Sequence, residues 1–151
     1  GVDASSAAIA ECKKTQRVNG LGVIFLCADV CDGNLVEQLR LQFPLELVSH
    51  ILVYSRFLLH AVPESGQSAL FALTLALGTS TPTRLAVEFR TVRDAGLPKL
   101  ATSHFRRFID PLSVVMQATN LGLKTEYFVE GFGFAKFGVE DAHVARCIFS
   151  K

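Results

Sequence analysis

Four groups of side chains have the types and spacing to do chemistry. Asp3 lies between a strand-like end, Gly1-Val2, and a helix start at Ser5-Ser6. A carboxylate at such a junction in a nucleotide-binding fold takes both hydroxyls of a ribose. His60 follows a short apolar strand, on the carboxyl edge where open α/β sheets bind ligands, and is a candidate general base. Glu88 and Arg90 alternate onto one face of a strand, where they can bind substrate or pair with each other or with Arg56. His104, Arg106 and Arg107 form a basic cluster beside Phe105 and Phe108. That cluster suits a carboxylate, a phosphate or a sugar acid, because guanidinium groups bind planar anions at two points. His50 and His143 read as structural.

Other chemistries find no support. No His, Cys and Asp group has metal-ligand spacing, so no metal is expected. The Gly-x-Ser-x-Gly of a nucleophile elbow is absent. The net charge of +1 and the pI of 7.9 give no field to attract nucleic acid or an anionic membrane, and no basic-aromatic pattern marks an RNA module. The longest apolar stretch, Ile51 to Val62, is interrupted by Arg56 and His60 and falls short of the roughly 18 residues of a membrane span. Cys12, Cys27, Cys31 and Cys147 read as free thiols in a reducing compartment. The expected setting is intracellular and soluble, in the cytoplasm or an organellar matrix.

The 151 residues suit a single domain, 1–151. Mean hydropathy is +0.35 and only 19% of residues are charged, against about 25% in an ordinary domain. Either a parallel sheet buried on both faces or a covering partner accounts for this.

Periodicity orders the elements. Ala7 to Thr15 reads as a helix capped by Ser5 or Ser6, and Leu21 to Ala28 as a buried strand. Leu35 to Leu41 is a short helix ended by Pro44, and Ser49 to Ser55 a second strand. Ser65 to Leu77 carries a helical stripe of Ala69, Leu70, Leu73 and Leu77, with Gly78 placed to end it in the left-handed conformation. Arg84 to Thr91 is a strand, Val92 to Phe108 a long loop, and Asp110-Pro111 opens a helix that Gly122 stops. Lys124 to Val129 and Ala142 to Phe149 are two closing strands. Alternating strands and helices predict a parallel α/β sheet, and the closing pair predicts an antiparallel hairpin at one edge.

Three stretches carry a resemblance to a known family. They are Gly1-Val2-Asp3-Ala4-Ser5 with Ala7-Ala8-Ile9-Ala10, then Ala28-Asp29-Val30, then the run from Val53 through Tyr54-Ser55-Arg56-Phe57 to His60 and Glu64. In order and spacing they resemble the second, third and fourth strands of class I S-adenosylmethionine-dependent methyltransferases. The closing hairpin is similar to that family's antiparallel seventh strand beside its fifth.

The resemblance implies a Rossmann-like, mostly parallel sheet with an antiparallel C-terminal hairpin. It also implies truncation at the N-terminus, because the family's first strand, Gly-rich turn and first helix have no counterpart. It implies S-adenosylmethionine as cofactor, with Asp3 on the ribose, Asp29 on the adenine amino group, and the Val30 N–H on the ring. Tyr54 and Ser55 fall where the cofactor binds, and Arg56 where cofactor and substrate meet. His60 and Arg56 are then the catalytic candidates, and Glu88, Arg90, His104, Arg106 and Arg107 the substrate-binding ones. The acceptor is expected to be a small or sugar-linked molecule. The alternative is a catalytically inactive methyltransferase-like subunit whose sheet is covered by a protein partner or a missing N-terminal segment.

Overall fold

Strand β1 (Val2–Asp3) runs into helix α1 (Ser6–Asn19), and Ser5 makes the transition. Its Oγ accepts the Ala8 N–H at 3.2 Å, satisfying a donor that the first helical turn leaves over. Strand β2 (Leu26–Cys27) pairs parallel to β1, with Val2 opposite Leu26 and Asp3 opposite Cys27. Helix α2 (Leu35–Gln42) follows. Ile9 and Leu35 supply the buried apolar contacts of this part.

The computed structural model describes residues 1–19, 23–99 and 105–151. They form two compact units, Gly1–Phe43 and Pro44–Lys151.

The second unit is built on strands β3 (Ile51–Arg56), β4 (Thr83–Arg90) and β5 (Lys124–Gly131). A small hairpin of β6 (Lys136–Phe137) and β7 (Glu140–Asp141) precedes the last strand, β8 (Val144–Ser150). The sheet order is β3-β4-β8-β5. β3 and β4 are parallel, and β8 runs antiparallel between β4 and β5. The closing pair is thus antiparallel as expected, with its second strand inside the sheet. The β6–β7 hairpin lies in a stretch read as a plain link.

One face of this sheet is sealed. Helix α3 (Glu64–Leu77) packs on β4, and helix α4 (Pro111–Asn120) packs on β5 and β8. Leu85, Phe89, Ala145 and Phe149 are fully buried, and the Phe71 and Phe149 rings lie 5.8 Å apart. α4 starts as its sequence predicts. Asp110 accepts the Leu112 N–H at 3.2 Å, Pro111 takes the first helical position, and Gly122 follows the helix at φ +81°. Asp110→Ala is expected to cost about 1 kcal/mol, read as a lower urea midpoint at constant slope.

Gly78 corrects an expectation. Its φ is −76°, outside the left-handed region. A Cβ there would meet the flexible Lys151 side chain at 2.8 Å and the Thr74 carbonyl at 3.3 Å, a close approach that a small shift relieves.

A bulge interrupts β5. Thr125 faces Phe149 and Tyr127 faces Ile148, so Glu126 is the extra residue. Glu126 accepts from Arg84 Nε at 2.7 Å.

Candidate functional site

In the first unit, two carboxylates stand at the carboxyl edge of neighbouring parallel strands. Asp3 ends β1, and Asp29 lies just past β2. Each is held by a backbone donor two residues on: Ser5 N–H to Asp3 Oδ1 at 2.7 Å, and Cys31 N–H to Asp29 Oδ1 at 2.8 Å. These local bonds fix the carboxylates and leave each with acceptor capacity, since an ionised carboxylate has about four lone-pair sites. Both are exposed. The Val30 N–H has no acceptor among the described residues. Two fixed acceptors and a free backbone donor fit the ribose hydroxyls, the adenine amino group and a ring nitrogen of an adenosine.

The three thiols of this unit are exposed, whereas Cys147 of β8 is buried. Burial pushes the Cys147 thiol up to about 12. Desolvation, then the charge and hydrogen bond of Asp29, raise Cys31 above its ordinary value. A raised thiol holds less thiolate at a given pH and reacts more slowly. At pH 8, iodoacetamide should therefore modify Cys12 before Cys31, and Cys147 only after denaturation. Peptide mass spectrometry checks this order.

In the second unit the candidates gather at the carboxyl ends of β3 and β4. Tyr54 is exposed. Ser55 is buried, with its Oγ unbonded among the described residues. Arg56 Nε donates to Glu88 Oε1 at 2.8 Å, and Arg146 Nε to Glu88 Oε2 at 2.6 Å. The hydrogen bond and charge of Glu88 hold the Arg56 guanidinium above its ordinary value. Glu88 thus braces two arginines rather than pairing with Arg90.

Directly after β3, Phe57 adopts φ +62°, an uncommon region for a bulky residue. Its ring lies under the Arg56 guanidinium at 4.8 Å and edge-on to His60 at 5.2 Å. The turn carries His60 back beneath β4, where it is buried and its Nδ1 accepts the Arg90 N–H at 3.1 Å. With that lone pair engaged, the neutral ring carries its proton on Nε2. Taking a proton at either nitrogen requires loss of the Arg90 bond. His60 holds backbone in this geometry.

Arg107 also turns inward. Its guanidinium donates to the Val62 carbonyl at 3.2 Å and to Gln67 Oε1 at 3.3 Å, and its backbone N–H donates to the His60 carbonyl. Arg106 is partly buried, and His104 lies outside the described residues.

Sequence reasoning missed the centre of this region, Asp94, which is fully buried. Its carboxylate takes Arg90 Nη1 at 2.7 Å, the Lys99 ammonium at 3.2 Å and the His143 N–H at 3.0 Å. Glu140 takes the other end of Arg90. Burial alone pulls the Arg90 guanidinium down, but the bonds and charges of Asp94 and Glu140 outweigh it and hold the group above its ordinary value. Thr91 Oγ1 lies 2.7 Å from His143 Nδ1, and Thr91 bridges to Ile109. The two ends of the segment 92–108 are therefore stapled together beside β4.

Among the described residues no group of His, Cys, Asp and Glu can hold a metal ion, and no helix is long and apolar enough to cross a membrane. A concavity of about 450 Å³ opens on the uncovered sheet face, between Tyr54, Arg56, Tyr127 and Arg146.

Comparison by sequence finds no matching family model and no matching curated protein. Comparison by structure does. A methyltransferase dependent on S-adenosylmethionine, from Methanosarcina mazei, superposes with a TM-score of 0.70 at 12% identity, over 100% of this chain and 80% of its own. This is a class I S-adenosylmethionine-dependent methyltransferase-like fold. A structure concerned with converting a disulfide bond into a thioacetal during echinomycin biosynthesis is also similar to the methyltransferase-like chain. Its TM-score is 0.65 at 16% identity, over 100% of this chain and 65% of that one. DhpI in complex with S-adenosylmethionine and HEP gives 0.53 at 15%, over 99% of this chain and 66% of that one. The chain thus spans just under two thirds of the length of the last two. β3, β4 and β5 run in one direction and β8 against them, the mostly parallel Rossmann-like plan with an antiparallel C-terminal strand that the sequence predicts.

Proposed function

We propose that this chain is part of an S-adenosylmethionine-dependent methyltransferase and that its first unit receives the adenosine end of the cofactor. The observation that carries this is the pair Asp3 and Asp29 at the carboxyl ends of adjacent parallel strands, with the Val30 N–H beside them. When bound, the cofactor supplies an electrophilic methyl group on a sulfonium. Asp3 would anchor the ribose, Asp29 the adenine amino group, and the Val30 N–H the ring. Their rigid seating on strand ends gives the fixed geometry that an in-line displacement demands.

In the second unit, Glu88, Arg90 and His60 act as positioning residues. Glu88 sets the directions of Arg56 and Arg146, while Arg90 and His60 hold the segment after β4. Arg56 and Tyr54 remain exposed and available to a cofactor or an acceptor. A small or sugar-linked acceptor is the class we favour. DhpI, which shares the fold, is seen with S-adenosylmethionine and a second ligand. Calorimetric titration with S-adenosylhomocysteine tests the reading, with saturable binding at a 1:1 ratio as the expected result. A flat titration of the folded chain sinks it.

A second reading has its own observation. The uncovered face of the four-stranded sheet exposes Leu52, Tyr54 and Tyr127, which favours a methyltransferase-like subunit that works within an assembly.

A further inference from the structure

The β6–β7 hairpin is fastened over the carboxyl ends of β3 and β4. Ala135 and Ala142 at its base pack with Val144, and Phe57, the residue after β3, lies against them. Glu140 binds Arg90, the last residue of β4. Arg146 Nη2 donates to the Phe134 carbonyl at 2.7 Å, and the Gly133 N–H donates to Asp141 Oδ1 at 2.9 Å. Gly138, at φ +58°, takes the first position of the two-residue turn, where a tight hairpin favours glycine. The hairpin is pinned, yet its apolar side chains are bare. Phe137 is 77% exposed, Val139 91% and Phe132 54%. Phe137 stands directly opposite Glu140, so the two side chains share the hairpin face from which Glu140 reaches Arg90. Phe132 is set at the same edge, its ring edge-on to His143 at 4.8 Å, and His143 holds Thr91, the residue after β4.

We propose that Phe137, with Phe132 and Val139, forms the specificity wall for the methyl acceptor, and that this acceptor is a neutral molecule with an apolar, ring-like body. Charge argues for neutrality. Beside the wall, Arg90 and Lys99 face Asp94 and Glu140, two cations on two anions, and all four are largely buried. Arg107 has turned its guanidinium to the Val62 carbonyl and Gln67. An ionised acceptor would give up its water here and meet groups already paired, a desolvation with little return. A neutral ring loses no ionic hydration and gains burial against the phenylalanines. Place argues for an acceptor. The wall stands at the strand ends where open α/β sheets take small ligands. Scale agrees: three side chains match one ring system, whereas a stable protein interface covers about 800 Å² on each partner. The inference rests on the reading of this chain as part of a methyltransferase, and names the acceptor class for it.

The test is an NMR titration of the full chain with three probes of one size: naphthol, naphthoate and naphthylmethylammonium, at neutral pH. Naphthol should saturate and shift the amide signals of Phe132, Phe137 and Val139. Both ions should bind about tenfold more weakly or not at all. Phe137→Ala should weaken naphthol by about tenfold, the scale of one lost ring contact, and its exposed site spares the fold. Leu112→Ala, at an exposed apolar position of α4, should leave naphthol binding unchanged. No saturation by naphthol, equal or tighter binding of either ion, shifts centred away from the hairpin, or indifference to Phe137→Ala would each overturn the proposal. A parallel titration with S-adenosylhomocysteine separates the two readings. Naphthol at the hairpin without S-adenosylhomocysteine binding upholds the apolar wall and sinks the cofactor reading, and the reverse pattern sinks the wall alone.

Discussion

Asp94→Ala should destabilise the second unit by about 3 to 5 kcal/mol, the cost of leaving the buried Lys99 ammonium without a carboxylate and Arg90 with Glu140 alone. Asp94 is 1% exposed, and its partners Arg90 and Lys99 are 11% and 9% exposed. Removing the carboxylate leaves the Lys99 ammonium with backbone carbonyls alone and the His143 N–H with no partner. Neither cation can turn to solvent without opening the segment it holds. Urea denaturation followed by circular dichroism reads the loss as a lower midpoint. Asp94→Asn keeps one acceptor oxygen but turns the other into a donor facing donors and removes the charge, so it should lie close to Asp94→Ala. A loss below about 1 kcal/mol for Asp94→Ala would show that the network is solvated and does not staple the segment, since exposed pairs contribute that little.

Asp3→Ala should weaken binding of S-adenosylhomocysteine by at least ~100-fold. A hydrogen bond to a charged group contributes about 1.5 to 3 kcal/mol, and in the proposed site two ribose hydroxyls would meet this one carboxylate. Even the lower end of that range for both bonds, about 3 kcal/mol, corresponds to two decades in affinity. The substitution also removes the acceptor of the Ser5 N–H, so stability must be measured beside affinity. Asp32→Asn is the control. Asp32 accepts from Asn34 and Gln38 within its own loop and has no assigned ligand. Unchanged affinity in Asp3→Ala, with the chain folded, would remove the ribose assignment.

The legible parts of the fold are those governed by local rules. The stripe of Leu70, Leu73 and Leu77 marks α3 because a helix buries every third or fourth residue. Asp110-Pro111 marks the start of α4 because its capping bond spans two residues. Leu85, Val87 and Phe89 mark a buried strand face because strands alternate. Asp3 and Asp29 stand at strand ends because the chain leaves each short strand at an acidic residue. The Asp94 cluster follows no local rule. Its carboxylate meets a backbone donor 49 residues away, and only the fold brings Thr91 and His143 together. The placement of His60 is also set by the fold: it follows a ligand-binding edge in sequence, and the left-handed turn at Phe57 carries it to the Arg90 N–H.

The extra residue at Glu126 has a consequence for how the sheet can change. Ahead of it, Lys124 stands opposite Ser150; beyond it, Tyr127 stands opposite Ile148 and Val129 opposite Arg146. β5 is therefore two half-strands of opposite parity joined at one position. Removing Glu126 would straighten the ladder and leave every pair in place, with Tyr127 still opposite Ile148 and Phe128 still opposite Cys147. A single-codon deletion here would therefore keep both surfaces, whereas the same deletion in an unbulged strand such as β4 would exchange them from the cut onward.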